Sequence, residues 1–156
     1  MRRALTRLGR SRRGGAAAEM ALIAPVLGSL LFVGMDLALA FWQKLQLEQA
    51  AQRGVELAVA PGTTTTNGDY SYLSTEVQTA YGKPVKSVTV TNWLECNGVR
   101  QASWSSFCPA GQTFARYVSV QVQADYVPWY SFGGVMKGTG SNGAYVLTGD
   151  AAVRLQ

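Results

Sequence analysis

Met20-Ala-Leu-Ile-Ala-Pro-Val-Leu-Gly-Ser-Leu-Leu-Phe-Val-Gly-Met-Asp36-Leu-Ala-Leu-Ala-Phe-Trp42 carries a single charged residue, Asp36. As a helix, residues 20–42 span roughly 35 Å, enough for a hydrocarbon core of about 30 Å. Phe41 and Trp42 stand where an interfacial aromatic belt belongs. Six of the fourteen Lys and Arg residues are Arg2, Arg3, Arg7, Arg10, Arg12 and Arg13. A basic cluster directly before an apolar segment holds that end in the cytoplasm. Everything after Trp42 then lies outside it.

The remaining chain holds eight basic and nine acidic residues, so the net charge of +5 belongs to the leader. That placement argues for membrane orientation and against a nucleic-acid partner. There is no histidine. Its absence removes Ser-His-Asp and Cys-His catalysis and most zinc sites. Two cysteines, Cys96 and Cys108, cannot complete a structural zinc site, and their spacing is not that of a CxxC redox pair. They read as one disulfide, which requires an oxidising compartment. The Gly-rich stretch Gly133 to Gly143 lacks the Lys-Ser/Thr end of a phosphate loop and reads as a connection. No catalytic constellation, cofactor or small-molecule substrate is indicated.

A secretory signal peptide shares the basic start and the apolar run, and Ala38-Leu39-Ala40 resembles a cleavage site. Against removal, the run is long and the helical pattern continues through the cut. Leu47, Ala50, Ala51, Gly54, Val55 and Ala58 form an apolar stripe at i, i+3, i+4 spacing, with Lys44, Glu48, Gln52 and Glu56 opposite. One helix of about 45 residues, stopped by Pro61-Gly62, is the simplest reading. A polar loop from Thr63 to Gly68 follows, then a short helix from Tyr72 to Tyr81 with Leu73, Val77 and Ala80 on one side.

Beyond Pro84 the period becomes two. Val85 to Trp93 and Phe114 to Val127 read as strands, the second with Val118, Val120, Val122, Ala124 and Tyr126 on one face. A third strand is expected from about Ala144 to Leu155, and a Gly/Ser-rich loop carries both cysteines. Three strands need a cover, and the outer half of the long helix offers the matching stripe. Trp93, Trp104, Phe107 and Trp129 are expected to pack in core or loops; an exposed adhesive surface is the alternative.

Arg13-Gly-Gly-Ala-Ala-Ala-Glu-Met-Ala-Leu-Ile-Ala-Pro-Val-Leu27 resembles the start of the TadE-like family, pilin-like proteins of tight-adherence (Tad, or Flp) pilus systems. Gly14, Glu19 and Pro25 fall on the family's pattern, Met20 replaces its usual aromatic, and Gln46 to Gly54 resembles its Leu-x-x-Ala-Ala-Arg-x-Gly segment. The resemblance implies an α+β, type IV pilin-like fold. A basic leader over 1–14 would precede a long helix over 15–60 and a periplasmic α+β domain over 61–156. It implies a minor pseudopilin or assembly component of a Tad pilus or secretion apparatus, single-pass in the bacterial inner membrane. Its partners would be other pilin-like subunits, Tad assembly proteins and a prepilin peptidase, with adhesion and biofilm as context. The alternative is a membrane-anchored or signal-peptide-secreted periplasmic binding module with no filament role.

The resemblance also implies roles for residues. Prepilin-type cleavage would fall between Gly14 and Gly15. It would make Glu19 the fifth residue, placed to pair with a neighbour's new amine and set subunit register; otherwise Glu19 is solvated among headgroups. Pro25 removes a backbone hydrogen bond and either loosens the helix around Ala21 or is merely tolerated. Asp36 reaches outer water or pairs with a partner helix. Ala17, Ala21, Ala24 and Gly28 recur at intervals of four, three and four, a small-residue face through which helices approach closely.

Overall fold

The computed structural model describes residues 13–60, 68–129, 138 and 143–155. Residues 1–12 of the basic leader, the Pro61-Gly62 stop, residues 63–67 and most of the Gly-rich connection lie outside the described residues. The elements run α1 (Arg13–Val59), α2 (Tyr72–Tyr81), β1 (Ser87–Cys96), β2 (Val99–Arg100), β3 (Phe114–Tyr126) and β4 (Tyr145–Arg154). The arrangement is the expected α+β one. The chain divides into two compact units, Met1–Ala38 and Leu39–Gln156.

In the first unit α1 continues through Pro25. Met20, Leu22, Ile23, Val26, Leu27, Leu30, Leu31, Phe32, Met35 and Leu37 are all exposed. A helix that exposes so many large apolar side chains has no stable place in water. By length and composition α1 is able to cross a membrane.

The second unit is two-layered. Four antiparallel strands lie in the order β2-β1-β3-β4. Val90 pairs with Val120 and Val120 with Ala151, so Val88, Val90, Leu94, Val118, Val120, Val122, Ala124, Leu147 and Val153 share one face. That face meets Leu47, Ala50, Ala51, Val55 and Ala58 of α1 and Leu73, Val77 and Tyr81 of α2, all buried. The α1 stripe is therefore the one read from spacing. On α2, Tyr81 is buried beside Leu73 and Val77, whereas Ala80, expected on that side, is exposed: its short side chain lies on the same helical face but near the end of the helix and does not reach the sheet. The opposite sheet face is polar: Thr89, Thr91, Ser119, Gln121, Thr148 and Asp150.

Layer spacing is set where α1 meets β4. A Cβ on Gly149 would collide with the Leu47 carbonyl carbon and come within 2.6 Å of Leu47 O and Glu48 N. Two polar latches hold the same region: Gln43 Nε2 donates to Asp125 O (3.3 Å), and Lys44 Nζ donates to Thr148 O (3.3 Å).

The sheet has a fourth strand where a loop was expected. Asn97 (φ 49°) and Gly98 (φ 79°) form a tight two-residue turn, so Cys96 pairs with Val99 and β1 runs to Cys96 rather than stopping at Trp93. Asn-Gly suits such a turn because both central residues need positive φ.

Candidate functional site

The residues singled out for processing and assembly lie on the first turns of α1. Gly14 and Gly15 are its second and third residues. Each glycine costs a helix about 1 kcal/mol relative to alanine, so this terminal turn opens at little cost. An open turn is what a protease needs, since it binds its substrate extended.

At about 100° per residue, Ala17, Ala21, Ala24 and Gly28 fall within one narrow arc of α1. Ala17, Ala21 and Ala24 are exposed, and a Cβ at Gly28 would meet nothing within 4 Å. Farther along, the same arc carries Leu31 and Met35, so the small-residue face ends after Gly28. Glu19, two residues from Ala17, projects to the other side and is exposed. The helix therefore presents a small-residue face and a carboxylate in different directions, and a single neighbour would not engage both through one seam.

The end of the second unit that carries the cysteines is closed by covalent and polar ties. Cys96 and Cys108 are joined by a disulfide, with Cα atoms 5.6 Å apart. Asn97 N donates to Thr113 O (2.8 Å), and Thr113 N donates to Asn97 Oδ1 (2.9 Å). Trp93 stacks on Tyr117, its cross-strand partner, at 5.3 Å between centroids. The Arg100 guanidinium lies 4.7 Å over Trp93, and Trp93 Nε1 donates to Glu95 Oε1 (2.7 Å). Trp104 packs edge-on to Tyr70. Trp93 and Trp104 thus pack as expected. Phe107 and Trp129 do not: they are 91% and 87% exposed, on loop segments.

Replacing both cysteines with serine should cost about 2–3 kcal/mol, since the bridge closes a loop of a dozen residues and the Asn97–Thr113 bonds already restrain part of it. Urea unfolding of the full-length protein in detergent, followed by tryptophan emission, measures it. An unchanged midpoint would mean that the bridge adds nothing to the hairpin.

A groove of about 410 Å³ between α1 and α2 is lined by Gln46, Gln49, Ala50, Arg53, Ala80 and Tyr81. Burial raises the Tyr81 hydroxyl above its ordinary pKa, so it stays protonated at neutral pH. Two amides, a guanidinium and a neutral phenol supply neither a nucleophile nor a general base. Among the described residues no group of three or more His, Cys, Asp or Glu is placed to hold a metal ion. The latches from Gln43 and Lys44 have no signature in the sequence, because their partners are main-chain carbonyls, which leave no trace in side-chain pattern.

Residues 14–56 match the family described as TadE-like protein. The match runs from the glycine pair through the exposed helix and into the buried stripe. No curated protein and no solved structure matches the chain.

Proposed function

We propose, from the match of residues 14–56 to the TadE-like family, that this protein is a minor pseudopilin or assembly component of a bacterial Tad pilus, structural and non-catalytic. The observation that carries the reading is where the match falls. It covers an unburied apolar helix whose continuation is the core of a folded domain. The helix anchors the protein in the inner membrane. The arginine leader keeps the N-terminus cytoplasmic, and the disulfide suits a periplasmic domain. A prepilin peptidase cuts between Gly14 and Gly15, and Glu19 then sets register against a neighbouring subunit. Pro25 removes the helical donor to Ala21 O and eases the helix out of the bilayer.

Ala17, Ala21, Ala24 and Gly28 are the contact face for a second pilin-like helix. Gly28→Leu tests this without disturbing the subunit, because the space beside Gly28 is open within the chain. We expect normal insertion but at least about a tenfold loss of co-purified pilus subunits, the effect of losing roughly 1.4 kcal/mol of helix packing. Leu30→Ile, on another face, is the control. Equal co-purification of both variants would show that the helix only tethers the domain, as a binding module with no filament role requires.

A further inference from the structure

The contacts that align α1 with the sheet also decide what lies at the membrane end of the folded domain. Gln43 is bonded to Asp125, and Gly54 faces Val120 with 3.4 Å between a would-be Cβ and the valine Cγ2. Eleven helical residues rise about 16.5 Å, and five strand residues cover about 16.5 Å. The two elements therefore run alongside one another, β3 descending as α1 ascends. Lys44 with Thr148 and Leu47 with Gly149 give the direction of β4, ascending with α1.

One strand residue below Asp125, Tyr126 pairs with Tyr145. This row is level with Phe41 and Trp42, which are 65% and 62% exposed. Val127 (62% exposed) and Trp129 (87% exposed) follow Tyr126 past the end of the strand. The second unit thus ends in tyrosine, valine and tryptophan level with its own Phe41 and Trp42. Lys86 pairs with Asp125 (3.4 Å) and Lys83 lies nearby on Gln46 (2.8 Å), so the Asp125 carboxylate at this end is matched by a lysine.

We infer that Tyr126, Val127, Trp129 and Tyr145 form a lipid-contacting base, bedded in the outer headgroup layer of the same bilayer that α1 crosses. Tyr and Trp favour that layer because an apolar ring and a polar tip are both satisfied there. The aromatic zone begun by Phe41 and Trp42 is continued by the domain, so the domain rests on the membrane instead of standing off it. The inference depends on the anchor proposed above, and its test separates the two.

The full-length protein is reconstituted in nanodiscs of phosphatidylcholine and phosphatidylglycerol, with and without bromines close to the headgroup. The emission of each tryptophan is taken as the parent minus Trp42→Phe, Trp93→Phe or Trp129→Phe. We expect the Trp42 and Trp129 signals to lose about half or more of their intensity to the brominated lipid. Trp93, at the far end of the sheet, should be unaffected. Quenching of Trp42 without Trp129 would overturn the lipid-contacting base while leaving the anchor intact. Quenching of neither would overturn both. Because Trp129 is so exposed, Trp129→Phe leaves the core untouched, and undiminished urea resistance verifies that.

Discussion

Gly149→Val should unfold the domain, or leave it less stable by about 3 kcal/mol or more, the upper end of what overpacking costs. The collision is with the backbone of Leu47 and Glu48, not with the end of a side chain that can swing aside. Neither partner is free to retreat. β4 is paired with β3 over ten rows, and α1 is held on the same sheet by Leu47, Ala50, Ala51, Val55 and Ala58. Gly54→Ala offers a calibrated contrast. There the added carbon comes 2.6 Å from Val77 Cγ2 and 3.4 Å from Val120 Cγ2, both side-chain atoms able to shift. A gain of about 1 kcal/mol in helix propensity also offsets part of the cost. Ala152→Val, exposed on the polar sheet face, should change stability by less than about 0.5 kcal/mol. Urea midpoints of the three variants in detergent decide the matter. If Gly149→Val unfolds where the parent does, α1 does not lie on β4 as described.

Gly14→Leu should abolish maturation altogether. A peptidase that cuts after glycine accommodates no side chain at that position, and leucine also strengthens the helical turn that must open. The parent should then give a mature protein beginning at Gly15, and the variant one that keeps the arginine leader. Intact mass and N-terminal sequence of membrane-extracted protein distinguish the outcomes. A parent beginning at Phe41 would identify a signal-peptide substrate. Parent and variant both beginning at Met1 would identify an unprocessed anchor. Either result removes the free amine that Glu19 is proposed to meet, and with it the register role.

The layers of this fold were readable because each is written at short range. The stripe from Leu47 to Ala58 and the alternation from Val118 to Ala124 have the periods of a half-buried helix and strand, and both are buried as those periods demand. The short β2 is also readable, since Asn97-Gly98 is a strong hairpin signal, although only two residues follow it in the strand. Other features have no local signature. Gly149 meets Leu47 across a hundred residues, and nothing around a strand glycine says which backbone will press on it. Gln43 and Lys44 end on carbonyls of distant strands, to which any residue type would serve equally. The exposure of Phe107 and Trp129 is likewise decided by where their loops emerge, not by their neighbours in sequence. The candidate site divides the same way. Gly14, Glu19 and Pro25 were legible as a motif, whereas the opposed directions of Glu19 and the small-residue face emerge from the helix itself.

Because α1 lies along β3 and β4, tension entering through the helix meets the sheet in shear. The Gln43–Asp125 and Lys44–Thr148 bonds and the whole stripe from Leu47 to Ala58 then resist together, where a perpendicular pull would open them one after another. The Cys96–Cys108 bridge sits beyond the last of these contacts, outside the path of the force. Reducing it should leave the pulling strength of the domain unchanged even as it lowers resistance to urea. The strength to withstand traction on a surface fibre would thus reside in a glycine-fitted seam of aliphatic side chains, and not in the covalent staple.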